Sequence, residues 1–236
     1  MNELLKLIQD RQSSRMPFDN KHKIEKQDLQ KILEAARWTP TAHNMQNFEI
    51  IIVDDEKILQ SILKIKRPIS ETFIRENYKQ LSFSEEELLR KKTGILASNF
   101  PPAWRVPDFK LGENDDKFIR IPFPSCSCML IVVYDPAKRA PASEGDFLGI
   151  ISLGCVMENM WLMANSLGIS FHILSSLSAE TVEEEVKKIL NIPENLKIAF
   201  SCRLGYPESA PPERLRVRRD IRDFTSYNKF GSKDQK

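Results

Sequence analysis

From Gly149 to Leu167 the chain is apolar almost all round, with Ile150, Leu153, Val156, Met160, Trp161, Ala164 and Leu167 distributed through the helical repeat. A helix with so little polar surface lies in the middle of a core or at an interface between subunits. The fold must therefore supply this segment with partners on more than one side. Gly168 provides its C′ stop.

Four apolar runs read as strands: Phe48 to Val53, Cys128 to Tyr134, Ile169 to Leu174, and Lys197 to Leu204. Helical spacing marks residues 3 to 10 and residues 25 to 38, where Leu29, Ile32, Leu33 and Ala36 share a face and Pro40 ends the run. Asp55 to Ile65 is also helical. A further helix runs to Leu190 with Ser178 as its expected N-cap and Val182, Val186, Ile189 and Leu190 inward. Helices and strands mix without a regular βαβ alternation, which favours an α+β fold over a doubly wound sheet. We find no internal repeat and no linker, so residues 1–236 are expected to form one domain, with residues 232–236 a disordered tail. Residues 66–124 are long, mixed and charged. They hold one clear helix signal, a capping box of Ser84 and Glu87, and then a stretch rich in prolines and aromatics that includes Trp104 and Phe109.

The net charge is +2, far less basic than a generic nucleic-acid binder. No apolar run appears long enough to span a bilayer, and the amphipathic, acid-containing N-terminus does not read as a signal peptide. A cytoplasmic protein is expected, without membrane or nucleic-acid partners. The four cysteines have no C-x-x-C spacing and the three histidines are scattered. Buried, reduced thiols fit better than a zinc site, and no metal is expected. Cys126 and Cys128 are expected on one face of their strand.

No G-x-G-x-x-G, G-x-x-x-x-G-K, H-E-x-x-H or G-x-S-x-G is present, and the chain has only eight glycines. Any phosphate must be held by side chains. Arg11-Gln12-Ser13-Ser14-Arg15 offers two guanidiniums and two hydroxyls within five residues, a set that grips phosphate by charge-assisted and neutral bonds. The tail adds Arg214, Arg216, Arg218 and Arg219. Thr39 to Phe48 joins a helix to a strand and carries Thr41, Asn44 and Gln46, uncharged donors and acceptors suited to a heterocycle. Taken singly, each segment also reads as a solvated stretch or a capped turn.

Their order is more informative. The chain resembles the flavin-dependent nitroreductase family from about Leu4 to Gly231. Arg11 to Arg15 stands for the family's R-R-S-x-R-like segment after the first helix. Pro40-Thr41-Ala42-His43-Asn44-Met45-Gln46-Asn47-Phe48 is similar to its P-S-x-x-N-x-Q-P-W-like segment. Gly149 to Ser170 looks like the long interface helix and its turn. Leu204-Gly205-Tyr206-Pro207 and the pair Arg216 and Arg218 complete the series.

The resemblance implies a mostly antiparallel sheet flanked by helices, in an intertwined homodimer with one FMN per subunit at the dimer interface. It implies that Arg11 and Ser13, with Arg216 and Arg218, hold the FMN phosphate and ribityl chain, and that Gln12 bonds the ribityl hydroxyls. Arg15 would sit near the N1/O2 edge of the ring. Pro40, Thr41, Ala42 and Asn44 would reach the flavin from the partner subunit, and Leu174, Ser175 and Ser176 would pass by N5, where serines stand in place of the family's frequent glycine. Asn47 and Phe48 replace a common Pro and Trp. Residues 66–124 are expected to be an insertion or lid region, in which residues 99–124 either form a lid with Trp104 or Phe109 stacking on substrate or extend the dimer interface. No catalytic side chain is named. The implied activity is hydride transfer from NADH or NADPH, through FMN, to a nitroaromatic, quinone or similar small-molecule acceptor. The alternatives are flavin fragmentation, reductive dehalogenation, and flavin binding without turnover.

Overall fold

A computed structural model describes residues 2–65, 125–141, 145, 147–209, 218 and 220–232. The expected lid residues, the Ser84 capping box, and Arg214, Arg216 and Arg219 lie outside them. The chain divides into two compact units, residues 1–67 with 120–211, and residues 68–119 with 212–236.

The larger unit is built on four antiparallel strands: β1 (Glu49–Val53), β2 (Cys128–Tyr134), β3 (Ser170–Ile173) and β4 (Lys197–Gly205). Their order in the sheet is β1-β2-β4-β3. β2 is central and reads as an unbroken apolar run because both its faces are covered. Met129, Ile131 and Val133 face one core, and Cys128, Leu130 and Val132 face the other. The register pairs Ile51 with Ile131 on one side of β2 and Ser201 with Ile131 on the other.

Helices cover both faces. α1 (Glu3–Asp10), α2 (Lys26–Arg37), α3 (Glu56–Leu63), α4 (Phe147–Ser166) and α5 (Glu180–Leu190) follow in chain order. Leu59 and Ile62 of α3 and Val182 and Val186 of α5 fill the first core. Ile32 and Ala36 of α2 pack against Leu153, Val156, Met160, Trp161 and Ala164 of α4 in the second. At 20 residues α4 does meet the length for crossing a bilayer, contrary to the sequence expectation. Its buried row, Leu153, Val156, Met160, Trp161 and Ala164, lies in the second core. Its opening turns differ: Phe147 is 70% exposed and Ile150 57%. Gly168 ends the helix at φ +71°, with the Ile169 N–H returning to the Ala164 carbonyl at 2.9 Å.

Two local expectations need correction. Cys126 and Cys128 lie on opposite sides of the sheet, Cys126 in the first core and Cys128 in the second. The chain bends at Ser127, before the strand and its alternation begin. Ser178 does not cap α5. It closes a 3₁₀ turn over Ser175–Ser178, and the cap position is Ala179, which makes no side-chain cap bond.

In the smaller unit, α6 (Ile221–Phe224) opens with a capping box between Asp220 and Asp223. Ser232 donates its N–H to the Lys229 carbonyl and accepts from the Tyr227 N–H. Residues 233–236 lie outside the described residues.

Candidate functional site

The segment Arg11 to Arg15 leaves α1 at Arg11, its C-cap, and runs beside β3. Ser13 forms a parallel bridge with Phe171, and the Ser14 N–H donates to the Phe171 carbonyl at 3.1 Å. A bridged, extended segment sends alternate residues to opposite sides. Ser14 is buried, Arg11, Ser13 and Arg15 are half-buried, and Gln12, which alternation would place on the side of Ser14, is exposed. Because the bridge is parallel, the chain advances from Arg11 to Arg15 as β3 advances towards Leu174.

Arg11 lies against α4. Its Nε is 3.1 Å from Glu158 Oε1, and its guanidinium sits 4.3 Å from the centre of the Trp161 ring. Trp161 donates Nε1–H to the Gln12 carbonyl at 3.3 Å and stacks on Phe171. One aromatic side chain thus ties the segment to both the helix and the strand.

Beneath it lies a residue that the sequence reading missed. Arg203 of β4 is wholly buried. Its Nη2 donates to the Met16 carbonyl at 2.6 Å and to the Ser14 carbonyl at 3.3 Å. Nη1 donates to Ser125 O at 2.8 Å, and Nε donates to His172 Nδ1 at 2.9 Å. The guanidinium lies 3.9 Å from the centre of the Phe18 ring. Burial pushes its pKa down to about 10, which leaves it charged at neutral pH. Only an Arg in an otherwise apolar strand hinted at this. Gly205 allows the same loop to approach, since a Cβ there would meet Phe18 Cβ at 3.0 Å.

The second predicted segment sits at the other end of α4. The Ala42 N–H donates to Ser152 Oγ at 2.9 Å, and the Gln46 N–H donates to Thr41 Oγ1 at 3.1 Å. His43, Asn44 and Gln46 all have positive φ, at 51°, 53° and 46°. Non-glycine residues adopt that region at a cost, and such strain gathers where a loop must hold a special shape. Asn47, standing where Pro is common, clasps Asp135: Nδ2 donates to its carbonyl at 2.9 Å, and Oδ1 accepts its N–H at 3.2 Å. Pro40 and Asn44 are exposed, and Thr41 and Ala42 are half-buried. A small hollow lined by Thr41, Ala42, Phe48, Tyr134, Gly149 and Ser152 opens beside them.

Leu174 is buried and fixed to β4. Its N–H donates to the Ser201 carbonyl, and Ser201 Oγ donates to the Leu174 carbonyl, both at 2.8 Å. Ser175 is exposed and Ser176 half-buried in the turn that follows. Arg11–Arg15 thus runs beside β3, and Leu174–Ser176 follows the end of that strand. It does not bring Pro40–Asn44 to them within one chain. Ser152 and Glu158 are six residues apart on α4, about 9 Å along the axis. Arg218 is exposed in the smaller unit, and Arg216 lies outside the described residues.

A profile of the Nitroreductase family matches residues 8–206. The chain belongs to that family. It is 24% identical over 208 residues to a protein of Archaeoglobus fulgidus named as an NADH dehydrogenase/NAD(P)H nitroreductase, covering 88% of this chain and 87% of that one. Its fold is similar to that of a Bacteroides fragilis nitroreductase with bound FMN. The TM-score is 0.59 at 22% identity, over 94% of this chain and 97% of that one. It is equally similar to an iodotyrosine deiodinase bound to FMN and 3-iodo-L-tyrosine, with a TM-score of 0.59 at 21% identity, over 95% and 100%. The nitroreductase-like α+β fold expected from the motif order is the fold observed, and family membership makes the chain an FMN-dependent oxidoreductase.

Proposed function

We propose that this nitroreductase-family chain takes hydride from NADH or NADPH and passes it to an electron-poor small molecule such as a nitroaromatic or a quinone. The observation that carries the proposal is the Arg11–Arg15 segment, held along β3 by the Ser13–Phe171 bridge and from below by Arg203. Its donor set fits FMN. Arg11 and Arg15 supply charge and Ser13 a hydroxyl, all on half-buried residues. Two guanidiniums and a hydroxyl match a phosphate on a polyhydroxylated chain.

In this reading Arg11 and Ser13 hold the phosphate and Gln12 the ribityl hydroxyls. The motif order alone adds Arg216 and Arg218. Arg15 places a fixed positive charge where negative charge gathers on the reduced ring, which favours reduction. Leu174, Ser175 and Ser176 lend a main chain made rigid by Ser201. Pro40, Thr41, Ala42 and Asn44 act on the flavin of a second subunit, a role assigned from the motif order alone. The exposed apolar start of α4 supports a homodimer. FMN, when bound, supplies the redox chemistry; the chain binds, orients and tunes it. A single domain with residues 66–124 as an insertion or lid region, and a cytoplasmic location, belong to the same proposal.

The fold similarity to a deiodinase favours one second reading, reductive dehalogenation. The deciding measurement is the absorbance spectrum of the purified protein before and after anaerobic NADH or NADPH. Flavin bands that bleach support the oxidoreductase, and a panel of nitro, quinone and halogenated acceptors then separates the two chemistries. Bands that persist point to flavin binding without turnover. Failure to bind added FMN overturns both.

A further inference from the structure

We propose that Glu158 is an internal competitor for the flavin phosphate, and so sets how strongly this chain prefers FMN to unphosphorylated flavin. The proposal rests on the reading of Arg11 as a phosphate ligand. Glu158 and Trp161 are three residues apart on α4 and therefore share a face. Between them they hold Arg11, the carboxylate at 3.1 Å from Nε and the indole 4.3 Å beneath the guanidinium. Any anion that engages Arg11 must come within a few ångströms of the Glu158 carboxylate. Like charges at that distance repel, and the repulsion is only partly screened at a half-buried site.

Glu158 is also placed to yield. Its side chain is 39% exposed, against 23% for Arg11, so the carboxylate can turn to water while Arg11 stays on Trp161. The indole is itself fixed, by its bond to the Gln12 carbonyl and its stacking on Phe171. The flavin-free chain thus keeps Arg11 neutralised and in place, and a phosphate exchanges one anion for another. Riboflavin brings no second anion and has no such exchange to make.

The test compares FMN and riboflavin dissociation constants, by fluorescence quenching at low and high salt, for the native chain, Glu158→Gln, Arg11→Ala and the double variant. Thermal melts confirm that each is folded. Glu158→Gln should bind FMN about tenfold more tightly at low salt, less so at high salt, with riboflavin unchanged. Arg11→Ala should bind FMN no better than riboflavin, and adding Glu158→Gln to it should change nothing. A weaker FMN complex in Glu158→Gln would mean that the carboxylate orients Arg11, and overturns the proposal. Equal shifts for both flavins, or no shift while Arg11→Ala does weaken FMN, overturn it as well and leave the phosphate assignment standing. If Arg11→Ala keeps full preference for FMN, the phosphate assignment itself has failed and the competition falls with it.

Discussion

Arg203 on β4 donates Nη2–H to the carbonyl of Met16 at 2.6 Å, across 187 positions of sequence. With its bonds to Ser14, Ser125 and His172, one side chain closes the loop after α1 onto the sheet. The charge is stabilised by three carbonyls and an imidazole nitrogen. Arg203→Met would keep the volume and leave them short of donors. Leaving a buried acceptor without its donor costs about 1–3 kcal/mol. The urea midpoint should fall accordingly, and FMN retention with it. A loss under about 1 kcal/mol would show that the loop is held by other means.

The thiols give a pH dependence with a definite sign. Burial pushes Cys126 up to about 11 and Cys128 to about 12, and raises Cys202 well above the ordinary thiol range. Unfolded, each loses its proton near 9. Above that pH the unfolded chain binds fewer protons than the folded one, so stability falls as pH rises. The slope is up to about 1.4 kcal/mol per pH unit for each thiol. It should be cleanest between pH 9 and 10, before Arg203, lowered to about 10, enters with the opposite sign. At pH 8 a thiol reagent should modify the half-buried Cys155 and spare the three buried cysteines until the protein is denatured. Rapid labelling of two or more would contradict this core.

For the cofactor, Arg11→Ala combined with Arg218→Ala should release FMN. Phosphate is held by few strong charges, so losing two should cost more than either alone. Gel filtration followed by flavin absorbance checks it. Full cofactor retention in the double variant would remove these residues from the phosphate site.

How much of this was written in the sequence depended on how local the cause was. The apolar run of β2 and the all-round apolarity of α4 name their own burial, and both elements fall within two residues of where the pattern puts them. Gly168 stops α4 because a left-handed residue is needed there and glycine accepts it. Ser178 misled because three serines compete for one turn, and a 3₁₀ turn took them before α5 began. Cys126 misled because strand alternation was extended past the bend at Ser127. Arg203 was signalled only by its place in an apolar strand, because its partners, three main-chain carbonyls and His172, are brought close only by the fold. Residues 11–15 run beside β3, bridged at Phe171, and residues 174–176 follow the end of that strand. The segment 40–44 sits apart because its hydrogen bond is to Ser152, near the opposite end of α4 from Trp161.

That separation gives the assembly a test. If Pro40–Asn44 serve the flavin of another subunit, the chain must pair, and the exposed apolar turns at the start of α4 are the surface to do it. Phe147, Leu148, Ile150 and Ile151 are all more than 40% exposed on the single chain. Ile150→Asp places a carboxylate on that face without touching the buried row led by Leu153. Burying an unpaired charge at a subunit contact costs several kcal/mol, enough to move a micromolar dimer to monomer at ordinary concentrations. Sedimentation velocity of the native chain should show a dimer, and of Ile150→Asp a folded monomer with little FMN. A monomeric native chain that holds FMN would assign both halves of the site to one subunit and end the second-subunit role of residues 40–44. A variant that stays dimeric would move the interface elsewhere.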